Sequence, residues 1–421
     1  MTKLNIHHIA RIEGHGNVAV EVKNGRLTKV QMQAIEPARF FEAMVKGRTI
    51  DEVPIIVSRI CGICSPNHTV TSIQALEDAI GLSVSRRTEQ LRYLLVYGSY
   101  LCNHASHLYL LSGPDFLGLP SVFPLAETAP EVVSRALSLK KLGNDVITAV
   151  GGRPVHPVSA VVGGFTDEPS RNHLRRLAAR LRAAVREAAA TVELFASFDI
   201  PEYEPEHEML ALKSEGTYAI TRGEVAALRA GWTRPARDYH EFIHETPVAS
   251  GNAKFSQTDG APFMAAAIAR VNINWAELTP SARVAAAGAG LRAVVRNPFL
   301  NNLCQAIEMV DACERCAALC EELAESDGDS KPRDWTVAKA AGGAGATEAP
   351  RGTLYHSYRV SKAGKVTAGD VITPTAQNLA CLEADLHAFA ARITDADPEE
   401  FKLRIEQLVR AYDPCLSCAV H

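Results

Sequence analysis

Apolar and polar positions change rhythm several times along the chain. Residues 18–22, VAVEV, alternate, and RLTKVQMQAI (26–35) alternates again after Asn24-Gly25. Period two marks strands, and Asn-Gly between two such runs marks a tight hairpin turn. The period then lengthens. PARFFEAMVKG (37–47) opens on a proline and stops on a glycine, and VTSIQALEDAIG (70–81) stops on Gly81, so both read as helices. RRTEQLRYLLVYGSYLCNHASHLYLL (86–111) is apolar on more than one face, which predicts a buried helix. Within 170–198, Leu174, Leu177, Leu181, Val185, Ala188, Val192 and Phe195 recur at helical spacing and leave a basic outer face.

NNLCQAIEMVDACERCAALCEELAE (301–325) reads as a further helix, ended by the turn-rich SDGDSKP. The glycines of AGGAGATEAPRG (341–352) argue against a regular element and predict a loop whose backbone approaches something closely. TLYHSYRV (353–360) alternates, Ala363-Gly364 reads as a turn, and two helices are expected near 376–391 and 398–411. No internal repeat stands out. The expected fold is mainly α with a small N-terminal β part (α+β). It is expected as a single domain over 1–421, with a hairpin region at about 1–36 and a helical core at about 37–421.

Composition narrows the functional classes. The chain has 421 residues, is 47% hydrophobic and 22% charged, and carries a net charge of −4. Such a chain can bury a large core, and nothing in its charge suits nucleic acid or an anionic membrane. No apolar run reaches the about 18 uncharged residues of a membrane span. The N-terminal MTKLNIHHIARIEG lacks the apolar stretch of a secretory signal, which predicts a cytoplasmic location. Ten cysteines without a secretory signal favour thiolates held for metal in a reducing compartment over a disulfide framework.

Two C-x-x-C pairs stand near opposite ends of the chain. Cys61 and Cys64 lie in SRICGICSPNH, followed by His68, and Cys415 and Cys418 lie in DPCLSCAVH, followed by His421. Four thiolates suit zinc, iron–sulfur or nickel, and spacing alone favours a closed zinc site. A dithiol redox pair is the smaller rival, because neither pair has a thioredoxin-like βαβ context. Cys313, Cys316 and Cys320 share one helix face with Cys304 nearby, and read as a packed stripe, with Cys102 and Cys381 as core residues. His7, His8 and His15 receive no ligand role.

The flanking residues change the balance. RIEGH (11–15), RICGIC (59–64), HASHLY (104–109), EAPRG (348–352) and DPCLSCAVH (413–421), in this order, resemble the large subunit of the nickel–iron hydrogenases. The motifs span nearly the whole chain. The resemblance implies reversible heterolytic cleavage of H2 at a Ni–Fe(CN)2(CO) centre. Cys61 and Cys415 would be terminal nickel ligands, with Cys415 also a proton acceptor, and Cys64 and Cys418 would bridge nickel and iron. Glu13 would relay protons, and a carboxylate must be raised by burial to do so near neutral pH. Arg351 would stand over the site beside Pro350, Thr375 would donate to a cyanide, and His68 would support a bridging sulfur. Glu42, His421 and the carbonyl of Val371 would hold magnesium or a similar ion. The family pattern also implies a C-terminal extension removed by a maturation protease, and a terminus folded into the site.

Taken alone, Glu13, Glu42 and His68 would read as solvated residues, and Arg351 and Thr375 as loop residues. Asn103 stands where many oxygen-tolerant members carry an aspartate, leaving Asp413 as the acidic member. Iron–sulfur clusters are expected in a small partner subunit, with further electron-transfer subunits of NAD(P), deazaflavin or heterodisulfide-reductase type. The alternatives are a non-catalytic hydrogen sensor of the same build, a complex I relative without nickel, and a zinc-stapled structural protein.

Overall fold

A computed structural model describes every residue except Met1, His7, His8, Asn24 and Gly25, and describes 2–6, 22, 23 and 26 by their backbone alone. The Asn24-Gly25 turn and the two N-terminal histidines thus lie outside the described residues. Strands β1 (Thr2–Ile6), β2 (Gly16–Lys23) and β3 (Arg26–Ala34) form an antiparallel sheet in sequence order, as the two alternating runs predict. Val18, Val20, Val30 and Met32 turn inward from it.

The long helices follow the apolar periods. Helix α1 (Ser65–Ile80) ends on Gly81 in the left-handed conformation. Helix α2 (Arg86–Ser106) starts on a Ser85 cap and widens into the π-turn His107–Ser112. Helix α3 (Pro130–Gly151) was not anticipated from the sequence, and it packs along α2. Helix α4 (Arg171–Ala196) carries its predicted stripe inward, with Leu174, Leu177, Leu181, Ala188, Val192 and Phe195 buried. The segment 37–47 is helical only over Phe41–Met44; Gly47 N is instead bound to Val366 O.

A second β region also escaped the sequence reading. Strands β4 (Glu208–Lys213), β5 (Glu224–Ala227), β6 (Thr233–Pro235) and β7 (Phe263–Met264) form a sheet in the order β7-β4-β5-β6. Each strand is short, so none repeats its pattern long enough to stand out. Helix α5 (Asn301–Glu325) follows and packs along α4 and α2. Its Cys304, Cys313, Cys316 and Cys320 are all fully buried, as a packed stripe requires.

The glycine-rich segment needs a correction. Residues Ala341–Ala349 are not a loop but strand β8, paired antiparallel with β9 (Gly352–Val360), which pairs in turn with β10 (Val366–Ile372). The glycines serve the close approach itself. A Cβ at Gly343 would sit 2.1 Å from Ala79 N, and one at Gly345 would sit 2.6 Å from Thr71 O. Only bare backbone lets the strand lie directly on α1, which strand propensity does not register. Helices α6 (Pro374–Ala390) and α7 (Pro398–Ala411) then lead to the last residues.

No helix among the described residues is long and apolar enough to cross a membrane. The buried side chains form one large cluster, running from the N-terminal sheet through the helices to Val420, and a small one around β4, β5 and Tyr355.

Candidate metal centre

Four sulfur atoms meet where the chain ends. Cys61 follows a short helical turn in extended conformation, and Cys64 caps the N-terminus of α1. At the other end of the sequence, α7 stops at Ala411 and Asp413, with φ 48°, turns the chain into Cys415 and the single turn Leu416–Ala419. Asp tolerates this left-handed conformation better than most residues. Cys61 Sγ lies 3.6 Å from Cys415 Sγ, Cys64 Sγ lies 3.5 Å from Cys418 Sγ, and Cys415 Sγ lies 3.1 Å from Cys418 Sγ. All four are buried free thiols.

Proton occupancy within the quartet is uneven. Hydrogen bonds from Cys415, then Cys418 and Cys64, hold Cys61 well below the usual thiol range. Burial raises Cys415, but hydrogen bonds from Cys418 and Cys64 together outweigh it and bring the thiol to about 7. Cys418 is pushed well up by burial, and Cys64 by its bond to Cys415. A soft metal ion would displace the remaining protons and take all four sulfurs.

The two ends are fastened together by the N-terminal motif. Leu416 N donates to Glu13 O at 3.0 Å, and Glu13 and Cys415 form a parallel bridge. Gly14, at φ 84°, allows this: a Cβ there would come within 3.0 Å of Leu416 Cβ and Ser417 N. Glu13 is thereby pressed against the quartet, with its Oε2 2.9 Å from Cys415 Sγ and accepting from Ser417 N at 3.2 Å. Ser417 Oγ donates to its other oxygen. Burial first, and the Cys415 thiolate second, raise Glu13 to about 7.

Arg351 lies close enough to the sulfurs for the charges of Cys415, Cys61 and Cys64 to act on it. It is 5% exposed, donates from Nε to Asp413 O at 2.7 Å and from Nη2 to Asp413 Oδ1 at 3.0 Å, and reaches Asn103 Oδ1 at 3.4 Å. Burial alone would favour losing its proton, but Asp413 and the thiolates of Cys415 and Cys61 hold it charged. Asn103 is occupied as a donor to Ile63 O, Ser99 O and Ser99 Oγ. Thr375 is buried, and its Oγ1 accepts from Cys415 N at 3.0 Å, which leaves its own proton free to donate.

His68 does not face water; it is fully buried, with Nε2 4.0 Å from Cys418 Sγ. Its Nδ1 meets His356 Nε2 at 3.1 Å, and His356 Nδ1 meets Tyr358 OH at 2.6 Å. Burial, then the charge of His421, lowers His68 to about 3, so it is neutral. One set of tautomers satisfies every atom: Tyr358 donates to His356, His356 to His68, and His68 to sulfur.

At the last residue, His421 Nε2 lies 2.8 Å from Val371 O and 3.7 Å from Glu42 Oε1, while Glu42 Oε1 accepts from Val371 N at 3.0 Å. The His421 side chain is 5% exposed. Burial opposes charge on Glu42, but hydrogen bonds from His421 and Val371 outweigh it and lower its pKa; Glu42 in turn raises His421 against its own burial.

Every site residue expected from the sequence therefore lies in one neighbourhood. Three others went unnoticed. Arg39 Nη2 donates to Ile60 O at 2.6 Å and also to Ser417 O, clasping both cysteine segments. Ser417 binds Glu13, and His356 supports His68. Ser417 lies inside the terminal motif, so its position was a signal; Arg39 and His356 gave none.

Comparison with known proteins accords with this geometry. The model of the nickel-dependent hydrogenase family matches residues 39–135 and 292–421. The chain is 38% identical to the alpha chain of sulfhydrogenase 1 from Pyrococcus furiosus, over 99% of this chain and 97% of that one. It is 30% identical to a chain of the F420-non-reducing hydrogenase of Methanothermobacter marburgensis, over 100% of this chain and 95% of that one. An NAD+-reducing nickel–iron hydrogenase crystallised in its H2-reduced state superposes with a TM-score of 0.89 at 27% identity, covering 100% of both chains. A four-sulfur centre closed by both ends of one chain, on this fold and with these relatives, has one reading: the chain belongs to the nickel-dependent hydrogenase family, as its catalytic large subunit.

Proposed function

We propose that the four cysteines hold a nickel–iron centre at which H2 is cleaved heterolytically, with Glu13 and Arg351 beside it. The observation that carries this reading is the convergence of four buried thiols with a carboxyl group titrating near 7 on Cys415 and a fixed cation within reach of the sulfurs' charge. Cys61, Cys64, Cys415 and Cys418 would hold the two metals through their sulfurs. When bound, the metals supply the site for splitting H2; cyanide and carbon monoxide on the iron belong to the same reading.

The chain's own residues handle protons and orientation. Cys415 accepts a proton and passes it across 2.9 Å to Glu13 Oε2. Ser417 holds that carboxyl in place through two hydrogen bonds. Arg351 Nη1 reaches Asn103 Oδ1 with one N–H and has a second to offer the site, its other nitrogens being fixed on Asp413. The free proton of Thr375 is available to a cyanide. His68 stabilises negative charge on Cys418. Glu42, Val371 O and His421 would bind a divalent ion such as magnesium, in place of the proton His421 now shares with them, and so latch the terminus.

Electrons must leave, and no iron–sulfur pattern is assigned to this chain. The reading therefore includes an iron–sulfur small subunit. Gly62 and Ile63, between the first two cysteines, are exposed, and Val155 and Val158 lie exposed on a loop that His156 ties to Ser58 O and Ser65 Oγ. This apolar surface, one loop from the sulfurs, suits a docking partner. NAD(P), deazaflavin or heterodisulfide-reductase modules would follow, and a maturation protease would act on a C-terminal extension. Ten free thiols fit a cytoplasmic location.

Infrared spectroscopy and metal analysis of the purified complex test this reading. Nickel and iron in equal amounts, carbon monoxide and cyanide bands, and H2-dependent dye reduction are expected. Zinc without nickel and no such bands would end it. Full nickel loading with no dye reduction would move the assignment to a hydrogen sensor.

A further inference from the structure

Four consecutive carbonyls next to the metal centre are each held by a buried side chain. Glu348 O accepts from Asn67 Nδ2 at 2.9 Å and from Tyr100 OH at 3.0 Å. Ala349 O and Pro350 O accept from Arg270 Nη1 and Nη2, at 2.9 and 2.8 Å. Arg351 O accepts from Asn378 Nδ2 at 3.1 Å. Arg270 has no exposed surface, and it forms a two-pronged pair with Glu308 at 2.6 and 2.7 Å. Glu308 is bound further by His104 Nε2 at 2.9 Å and by Tyr218 OH at 2.7 Å.

The far end of Arg351 is held by a separate route. Asp413 receives Arg351 on one oxygen, and on the other accepts from Gln305 Nε2 at 3.0 Å. Gln305 Oε1 meets His107 Nδ1 at 2.6 Å, and His107 Nε2 meets Arg410 O at 2.8 Å. His104 and His107 lie one turn apart on α2 and its continuation, and Gln305 and Glu308 lie one turn apart on α5. Residues three apart share a helix face. The His-x-x-His of one helix thus faces a Gln-x-x-Glu of the other, and the two rungs lead to the two ends of one arginine.

We propose that Arg270 and Gln305 are positioning residues for Arg351, the first fixing its backbone and the second its guanidinium. The His104–Glu308–Arg270 arm clamps the carbonyls that precede Arg351, and the His107–Gln305–Asp413 arm sets the carboxylate that it grips. A long arginine side chain has many rotamers, and a displacement of about 1 Å in a catalytic constellation costs about a hundredfold in rate. Buried ion pairs stabilise poorly against apolar packing, so stability alone is a weak reason for Arg270 and Glu308. This inference rests on the reading of Arg351 as the cation of the site.

The test is a double-mutant cycle on the purified complex. Arg270→Lys and Gln305→Met are each made alone and combined with Arg351→Lys. Nickel content, kcat and KM for dye reduction by H2, and amide hydrogen exchange are measured. Each single variant should keep its nickel and its dye KM and lose about tenfold to a hundredfold in kcat. Exchange at residues 349, 351 and 352 should rise in Arg270→Lys and not in Gln305→Met. Neither change should add more than about twofold on the Arg351→Lys background. Losses that multiply fully on that background, or unchanged exchange with full activity, overturn the inference. Should Arg270→Lys not fold, Gln305→Met alone decides, since it removes both hydrogen bonds of Gln305 at nearly constant volume. Full activity in Arg351→Lys itself would show that the reading of Arg351 has failed, a result distinct from additive losses.

Discussion

Glu13 is pressed against Cys415 by the backbone bridge that joins the first motif to the last. Its burial is what allows a carboxyl group to gain and lose protons near pH 7. Glu13→Gln keeps the shape and removes the titration. It should lower H2/D2 exchange by about a hundredfold or more while leaving nickel content unchanged, as gas-phase mass spectrometry beside metal analysis would reveal. His421→Ala is expected to act differently. It removes the Glu42 and Val371 O contacts, so the last residues should become cleavable by added protease and nickel should be lost faster to a chelator. Retained nickel and protease resistance would show that the terminus is held without this latch.

Among the elements, β8 is where residue-type rules and packing part company. Its glycines have poor strand propensity and read as a loop, yet their missing side chains are what let the strand lie on α1. Gly343→Ala places a methyl group against Ala79 backbone and should destabilise the protein by about 1–3 kcal/mol, seen as a lower melting temperature. An unchanged melting temperature would mean that the strand and α1 separate without penalty. The strongly periodic helices were legible because their apolar stripes repeat over several turns. The strands between 208 and 264 were not, since they are too short, whereas α3 carries a helical period of the same kind over 22 residues.

Across the molecule, buried charges set the acid limit. Glu308 is fully buried and its own burial works against ionisation, but Arg270 and His104 outweigh this and hold it at about 2, against 4.5 when unperturbed. The folded value is the lower one, so its contribution is fully present above pH 4.5 and is lost progressively as pH falls toward 2. The size is on the order of 3 kcal/mol. Denaturant unfolding across that window should show the fall in the parent protein and a shallower one in Glu308→Gln. That variant should also be less stable at neutral pH by about 3–5 kcal/mol, because Arg270 stays buried with half its partner gone. Equal pH slopes in the two proteins would place the acid sensitivity elsewhere.

The sequence by itself determined the donor set and most of the long helices. Thiolate softness belongs to cysteine wherever it stands, and helical period is a local property of neighbouring residues. The ordered motifs also pointed to most of the residues around the sulfurs, from Glu13 to His421, while Arg39 and His356 carry no motif and were found by their contacts. Only the tertiary structure decided how protons and charges are distributed there. Glu13 is raised, His68 is neutral and Arg351 is gripped at both ends because segments hundreds of residues apart exclude water together. Burial and long-range hydrogen bonds belong to that packing, and no window of the chain contains them.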